Sequence, residues 1–353
     1  MVEIWCCMKK FDYSFLKEST PTNILSISNI IVDLNKKEEF RKLQYKDAFE
    51  KLRKKALIES IKGSNAIEGI VTTDDRIRDI VEGALPVTHD ELEISGYKDA
   101  LSLIHKEYRH LDLEEETILL FHKMIENETD PKEAGKYKSR DNLIMEYLSD
   151  GSRRIRFKPV CARDTKNAME QLILAYYDAR QDSDIPELLL IPCVILDFLC
   201  IHPFLDSNGR VSRLLTILLL YIAGYDIGRY ISLEGQINKY KEAYYDALEK
   251  SSEGWHENKN DYVPFMIHFL QILYRCFKDL DDSFMEISLK KAKKSERVEA
   301  LLMSAIVPIS KADIMEKVPD ISVKTVELAL SKMLKEDKIK KIGTYRDARY
   351  MKK

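Results

Sequence analysis

Glycine and proline are scarce in this sequence, with only 12 glycines and 10 prolines in 353 residues. This composition excludes collagen-like repeats, and it disfavours long structureless linkers and a turn-rich all-β fold. Leucine, isoleucine, lysine and glutamate are abundant, which favours helices. The length exceeds that of one ordinary hydrophobic core. We therefore expect a mainly helical chain of two or three domains.

Long apolar runs and metal-type cysteine clusters are also missing. The two most apolar stretches, 188–201 and 214–225, are shorter than the ~20 residues that a membrane span needs, and Asp197 interrupts the first. None of the six cysteines lies in a CxxC pair or in a Cys/His cluster with zinc spacing. The start of the chain lacks the basic and apolar regions of a signal peptide. These features predict a cytoplasmic protein with reduced cysteines, no membrane contact, and the two apolar stretches as central helices.

The formal net charge is −3, which excludes a uniformly basic protein that coats nucleic acid. The charge is unevenly distributed, however. Residues 290–353 contain 17 lysines and arginines against 9 acidic residues, a net charge of +8, and the rest of the chain carries −11. A small basic unit therefore follows a larger acidic one.

Apolar residues at three- and four-residue spacing predict a series of helices. Their ranges are 45–61, 90–108, 114–126, 164–180, 187–200, 211–222, 236–250 and 262–278, with further helices at 295–306, 311–317 and 322–336. Gly63 is expected to end or kink the first of these helices. A β-hairpin is predicted over 142–158, where a turn signal separates an apolar run from an alternating one. Two short strands are expected over 339–350.

The segment between the two most apolar helices reads His202-Pro203-Phe204-Leu205-Asp206-Ser207-Asn208-Gly209-Arg210-Val211-Ser212-Arg213. Pro203 is expected to end the first helix, and the next helix begins within this segment, so its free amides face the loop. A helix N-terminus of this kind favours an anion. Two arginines three residues apart can bind a polyphosphate with forked donors. A carboxylate beside them can hold Mg²⁺, and a histidine can accept a proton at neutral pH.

Each of these residues also has an ordinary structural interpretation. A histidine at a helix end is more often structural, paired arginines are usually solvated or bound to a carboxylate, and Asp or Asn in a loop usually forms a cap or turn. Their combination beside the most buried helices favours a functional site, because polar groups next to a core need a reason to be there.

The whole segment resembles the signature of the Fic family, HPF-x-[D/E]-G-N-G-R-x-x-R. Every signature position matches except the first glycine, which is Ser207. The stretch from about 110 to 278 also follows the helical order of the family, and Ser64-x-x-x-Glu68-Gly69 matches its N-terminal inhibitory motif, [S/T]-x-x-x-E-[G/N]. The implied fold is mainly α, a Fic helical fold with a β-hairpin flap, plus a C-terminal winged-helix domain. The implied domains are 1–109 with the inhibitory helix, 110–285 as the catalytic domain, and 286–353 as the winged helix.

The resemblance implies a protein adenylyltransferase, a nucleotidyltransferase that moves AMP from ATP to a Ser, Thr or Tyr hydroxyl of a target protein or of itself. The implied roles are His202 as general base, Phe204 as the loop anchor, Asp206 as the Mg²⁺ ligand, Ser207, Asn208 and Gly209 as the phosphate cradle, Arg210 and Arg213 as ligands of the β- and γ-phosphates, and Tyr245 facing the adenine. For Tyr245 ordinary core packing is an equal alternative. The hairpin, taken as 143–157, would be the flap on which an extended target segment docks.

Two further expectations come from the resemblance. Glu68, in the motif with Ser64 and Gly69, would pair with Arg213 and so block productive ATP binding. Ser207 replaces a glycine that would permit positive φ, and its hydroxyl could donate to a phosphate oxygen, so the effect on activity is open.

The basic C-terminal region, 295–353, has the element order of a winged helix, with the third helix at 322–336. Lys338, Lys340, Lys341, Arg346 and Arg349 would populate the wing and suggest DNA as a partner. Use of the unit for dimerisation or docking is the alternative. A DNA-binding regulator whose Fic domain senses nucleotide or modifies only itself, and an enzyme that removes AMP from modified proteins, are the competing functions. The sequence leaves monomer and homodimer open.

Overall fold

A computed structural model describes residues 9–18, 20–147, 152–291, 294–305, 308–344 and 348–353. The chain divides into two units, one up to Asp279 and one from Leu280 to Lys353. The helices of the first unit are α1 Phe15–Glu18, α2 Thr22–Gln44, α3 Lys46–Ile67, α4 Asp74–Val81, α5 His89–Glu107, α6 Glu115–Glu126, α7 Ala162–Gln181, α8 Glu187–Ile201, α9 Asn208–Ile222, α10 Leu233–Lys239 and α11 Lys241–Ser252. Helix α12, Val263–Lys291, begins in this unit and ends in the second.

The core of the first unit is built around α8 and α9, the two apolar stretches of the sequence. Almost every residue of both helices is buried, and they pack against each other. Helix α7 covers α8, while α5 and α6 cover α9. The expectation of two central helices is confirmed. Cys193 and Cys200 lie buried in α8 as small hydrophobic residues.

Asp197 is fully buried in α8, and three donors satisfy its carboxylate. Tyr13 donates at 2.8 Å, the Trp255 indole at 2.6 Å, and the Tyr262 hydroxyl at 3.0 Å. Burial raises the pKa of Asp197 against the opposing effect of these bonds and of Lys9. A carboxylate inside an apolar helix is thus accommodated by hydrogen bonds from outside that helix.

Helix α3 packs closely on α10 through two glycines. A Cβ added to Gly63 would lie 2.7 Å from the backbone nitrogen of Gly235, so the two backbones are in contact. The prediction that Gly63 ends or kinks the helix is wrong, because α3 continues to Ile67. The glycine serves close packing between helices instead.

Most other predicted helices are confirmed within a few residues. Two differ: 236–250 is two helices separated at Tyr240, where φ is −116° and ψ is 35°, and the helix predicted over 262–278 continues to Lys291 as α12. Thr73 caps α4, since its side chain accepts a hydrogen bond from the backbone nitrogen of Arg76. In the described part of the chain, no helix is long and apolar enough to span a membrane.

The predicted hairpin is confirmed by two antiparallel strands, β1 Ile144–Tyr147 and β2 Arg153–Phe157. Ile144 pairs with Phe157 and Met145 with Ile155, and the shift between these pairs marks a bulge. The predicted turn, 149–152, lies largely outside the described residues.

The second unit combines three helices and three strands. They are α13 Lys294–Ser304, β3 Ile309–Ser310, α14 Lys311–Lys317, α15 Val323–Lys335, β4 Ile339–Ile342 and β5 Arg349–Lys352. The strands form one antiparallel sheet in the order β3-β5-β4. The helices and the two later strands match the prediction, whereas the two-residue strand β3 was not predicted. The winged-helix assignment stays a prediction, and Arg346 lies outside the described residues.

Candidate active site

The loop between α8 and α9 contains two residues with left-handed backbone angles. His202, which follows α8, has φ = 52°, and Ser207, which precedes α9, has φ = 61°. Non-glycine residues in such conformations cost on the order of 1–3 kcal/mol each and persist only where the surroundings hold them. The helix ends one residue before His202, as the position of Pro203 predicts.

Asn208 holds this loop closed through its own side chain. Its Oδ1 accepts from the backbone nitrogen of Phe204, and its Nδ2 donates to the Phe204 carbonyl, both at 2.9 Å. The buried Phe204 ring stacks on the imidazole of His122, with centroids 3.9 Å apart. Asn208, expected to be part of the phosphate cradle, therefore has its side-chain amide engaged in the loop itself.

Lys138 and Asn142 brace the loop from the segment after α6. The Lys138 backbone nitrogen donates to the Pro203 carbonyl at 2.8 Å, and its ammonium donates to Asn142 at 2.9 Å and to the Ile201 carbonyl at 3.2 Å. Asn142 in turn donates to the Phe204 carbonyl at 2.8 Å. Burial lowers the pKa of Lys138 to about 8. No local sequence pattern indicates this brace, because both residues precede the loop by some 60 positions.

His202 has the tautomer that a general base requires. Its Nδ1 lies 3.2 Å from the carbonyl oxygen of Leu199, and because a carbonyl only accepts, Nδ1 carries the proton. The lone pair is then on Nε2. Burial lowers the pKa of His202 to about 4, against the opposing effect of the bond to Leu199. The imidazole is therefore neutral at physiological pH.

Arg210 and the Ser207 hydroxyl belong to a buried cluster with two carboxylates. The Ser207 hydroxyl donates to Glu126, and Arg210 donates to the Ser207 oxygen at 2.6 Å and to Glu126 at 3.4 Å. Arg210 also forms an ion pair with Glu93, and Thr129 donates to the second oxygen of Glu126 at 2.9 Å. The guanidinium, only 2% exposed, and the hydroxyl expected to meet phosphates are thus both engaged with protein groups.

Arg213 faces the other way and meets the segment that carries the predicted inhibitory motif. It donates to the Ser64 hydroxyl at 2.8 Å, to the Ser64 carbonyl at 3.0 Å and to Glu68 Oε1 at 2.8 Å. Glu68 caps the C-terminus of α3, and Gly69 follows with φ = 83°. The Glu68 carboxylate lies so close to Gly209 that a Cβ there would collide with it.

The electrostatics of Glu68 reflect this position. Burial acts to raise its pKa, but the charge and hydrogen bond of Arg213 outweigh that effect, so the pKa lies below its usual value. Glu68 is therefore ionised at neutral pH, and a carboxylate stands at the N-terminus of α9, where an anion is favoured.

A cavity of about 630 Å³ opens beside these groups. Its lining residues are Glu68, Ile144, Met145, Arg156, Phe157, Leu196, Leu199, Cys200, His202, Gly209, Arg213, Lys241, Tyr244, Tyr245, Leu248 and Ser252. The hairpin, Glu68, the candidate base and Tyr245 therefore share one space, whereas the described lining includes neither Arg210 nor Asn208. Tyr245 is half-buried against this cavity rather than packed in the core.

Asp206 is exposed at the surface of the loop, and its Oδ1 accepts from the backbone nitrogen of Ser207 at 2.5 Å. The second carboxylate oxygen has no bond within the described structure. In the same described residues, no group of three or more His, Cys, Asp or Glu side chains forms a metal site. One carboxylate fits Mg²⁺ that is otherwise bound by phosphates and water, which is the usual arrangement for this ion.

Comparison with known proteins now identifies the segment that carries the loop. Residues 112–220 match the sequence model of the Fic/DOC family. This segment is a Fic domain. It contains the brace, the candidate base and both arginines, but neither Glu68 nor Tyr245.

Two curated proteins are distant homologues of the chain. The protein adenylyltransferase Fic of Nematostella vectensis is 26% identical over 234 residues, which cover 63% of this chain and 47% of that protein. The protein adenylyltransferase fic-1 of Caenorhabditis elegans is 25% identical over 200 residues, which cover 54% and 36%. The chain therefore spans less than half the length of either relative.

A solved structure extends the likeness of fold beyond the Fic domain. The crystal structure of a Fic family protein from Desulfovibrio desulfuricans G20 matches with a TM-score of 0.63 at 18% identity, covering 96% of this chain and 98% of that one. At this identity the match shows a shared fold alone.

Sequence reasoning missed four residues around the Fic loop: Glu93, Glu126, Lys138 and Asn142. The first two had a detectable signal, because each lies in the apolar stripe of an amphipathic helix, where a carboxylate needs a partner. Lys138 and Asn142 lie in an irregular segment and had none.

Proposed function

We propose that this chain is an autoinhibited protein adenylyltransferase, which moves AMP from ATP to a hydroxyl of a target protein or of itself. The observation that carries the proposal is the shared cavity, where a neutral His202 and the N-terminus of α9 meet and where Glu68 occupies the position of an anion. The relatives named as protein adenylyltransferases support the same reaction class.

In the proposed reaction, ATP places its phosphates at the α9 amides and Arg213. The target hydroxyl oxygen attacks the α-phosphorus, its proton passes to Nε2 of His202, and the bond from the α-phosphorus to the bridging oxygen breaks to release pyrophosphate. Asp206 would hold Mg²⁺, which neutralises phosphate charge when bound. Positioning and charge neutralisation supply most of the catalysis in such transfers.

Glu68 opposes this reaction in two ways. Its bond to Arg213 removes a phosphate ligand, and its charge stands where the phosphate charge must go. The Glu68 carboxylate and the nucleotide phosphate therefore compete for one site, and the carboxylate is already in place. We expect removal of the Glu68 side chain to raise the rate of AMP transfer.

The flap offers a place for the target segment. Strands β1 and β2 pair only with each other in the described sheet, so each has an outer edge that can accept an extended peptide. Ile144 and Met145 of β1 line the cavity that holds His202, so a segment added at this edge lies beside the base.

The experiment combines purified chain, radiolabelled ATP, Mg²⁺ and a cell lysate. We expect strong labelling with Glu68→Gly, little with the parent, and none with the Glu68→Gly/His202→Ala double variant. Glu82→Gly is a matched control, since Glu82 is also an exposed helix C-cap followed by a positive-φ glycine, away from the cavity. Labelling that does not depend on His202 would contradict the proposal, and loss of label on adding the parent protein would favour AMP removal instead.

DNA contact through the second unit is a separate proposal, supported by the net charge of +8 over residues 290–353 and by exposed Lys324, Lys340 and Lys341. The outer face of α15 also carries exposed Glu327 and Leu328, which do not suit phosphate contact. A gel shift of duplex DNA that weakens steeply as salt rises would support DNA binding. No shift at low salt would favour a docking role for the unit.

A further inference from the structure

Arg156 of the flap enters the cavity without an acceptor for its buried nitrogen. Its guanidinium lies 5.2 Å from the centroid of the Tyr245 ring, and the Lys241 ammonium lies 5.9 Å from the same ring. Within the described structure, no group accepts a hydrogen bond from Arg156 Nε, although that atom is shielded from solvent. Buried donors normally have a partner, so a ligand in the cavity is expected to supply one.

The two walls of the cavity suit different parts of a nucleotide. Gly209 and Arg213 form the wall at the N-terminus of α9, which favours phosphates. Tyr245 and Leu248 form an aromatic and aliphatic wall, which favours stacking of a base. If phosphates bind at the first wall, as the proposed function requires, the base lies at the second, beside Arg156.

The edges of the bases differ in what they offer to a guanidinium. Guanine presents two adjacent acceptors, O6 and N7, which match the parallel donors of arginine, whereas adenine presents the acceptor N7 beside the N6 amino donor. Adenine is instead matched by the amide of Asn or Gln, and the described cavity lining contains neither residue. The cations at this wall, Arg156 and Lys241, are donors only.

We propose that Arg156 sets the base preference of this site, and that the site binds GTP at least as tightly as ATP. The inference rests on the proposed function for the orientation of the nucleotide. Under this proposal the flap contacts the nucleotide base through Arg156, in addition to docking the target segment. Bound guanine would thereby connect β2 to α11 across the cavity.

The test measures the dissociation constants of non-hydrolysable ATP and GTP analogues with Mg²⁺, by calorimetry on the full chain carrying Glu68→Gly. We expect GTP to bind as tightly as ATP or more tightly. Adding Arg156→Gln, which offers adenine an amide, should shift the ratio of the two constants toward ATP by about fivefold or more, the lower end of what one bidentate base contact supplies. Arg154→Gln is the matched control, because Arg154 lies on the same strand but binds Glu249 outside the cavity lining, and it should leave the ratio unchanged.

An equal loss of affinity for both nucleotides in Arg156→Gln would mean that Arg156 binds phosphate, and would overturn the proposal. The proposal would also be overturned if the chain carrying Glu68→Gly alone bound ATP several-fold more tightly than GTP. The thermal unfolding midpoint of each variant confirms that it is folded. Because binding is read without transfer, a chain that shifts its preference but labels no protein would contradict the proposed function alone.

Discussion

At the scale of single residues, the two arginines of the loop have opposite environments despite their spacing of three positions. Arg210 is enclosed by Glu93, Glu126 and the Ser207 hydroxyl, with its side chain 2% exposed. Arg213 lines the cavity and meets Glu68, whose side chain is 32% exposed. The sequence pattern places both arginines on one helix turn. Their partners on the surrounding helices determine that Arg213, and not Arg210, lines the cavity.

This difference predicts unequal costs of substitution. Arg210→Ala leaves two buried carboxylates without their cation and is expected to lower the free energy of unfolding by about 3–5 kcal/mol. Arg213→Ala is expected to cost less, because Glu68 can turn toward solvent. Chemical denaturation of both variants measures the order, and a larger loss for Arg213→Ala would contradict this assignment of Arg210.

Ser207 gives a second prediction at this scale. Ser207→Ala keeps the strained backbone and loses the bond to Glu126, whereas Ser207→Gly loses the bond but relieves the strain of φ = 61°. We expect the alanine variant to be less stable than the glycine variant by about 1 kcal/mol. Equal stability of the two, measured in urea, would show that the conformation carries no strain.

At the scale of elements, the contact between α3 and α10 predicts a stability effect far from the loop. Gly63→Ala places a methyl group 2.7 Å from the backbone of Gly235, which cannot move aside as a flexible side chain would. We expect a loss of about 1–3 kcal/mol, in the range of overpacked cores. Lys54→Ala, at an exposed position of the same helix, should change the thermal unfolding midpoint little, and a Gly63→Ala protein as stable as the parent would contradict the contact.

The sequence predicted these elements unevenly, for physical reasons. Helices with a clear apolar stripe were found within a few residues, and the loop was found because its polar residues are consecutive. The break at Tyr240 was missed because apolar spacing continues across it. Gly63 was misread because a local preference for turns was outweighed by packing against Gly235, which lies distant in the sequence.

At the scale of the whole molecule, four histidines with buried or half-buried side chains link stability to pH. Burial lowers the pKa of His105 to about 3 and the pKa values of His122, His202 and His268 to about 4. All four titrate near 6.5 when unfolded, so between pH 6.5 and about 4 the unfolded chain binds more protons than the folded one. The stabilisation that these neutral rings provide is complete above pH 6.5 and is lost as pH falls toward 4.

We therefore expect the thermal unfolding midpoint to fall progressively from pH 7 to pH 4.5. His268→Gln should flatten this dependence, because it removes one of the four groups, whereas His110→Gln, at an exposed position, should not. Midpoints that rise on acidification over this range would contradict the burial of the rings as neutral groups.

The contact of Gly63 with Gly235 also limits how Glu68 can leave Arg213. Because the two backbones touch, α3 cannot slide or rotate along α10 without separating from it, so a change that leaves this contact intact is confined to the turn after Gly63, Ser64–Glu68. Complete release of Arg213, including its two bonds to Ser64, is then an unwinding of one helix end, which also breaks the bond from the Lys241 ammonium to the Ile67 carbonyl. Helix ends open and close within about a microsecond. If Glu68 inhibits as proposed, the exchange between the inhibited and open states then depends on local unwinding at this helix end rather than on movement of a whole helix.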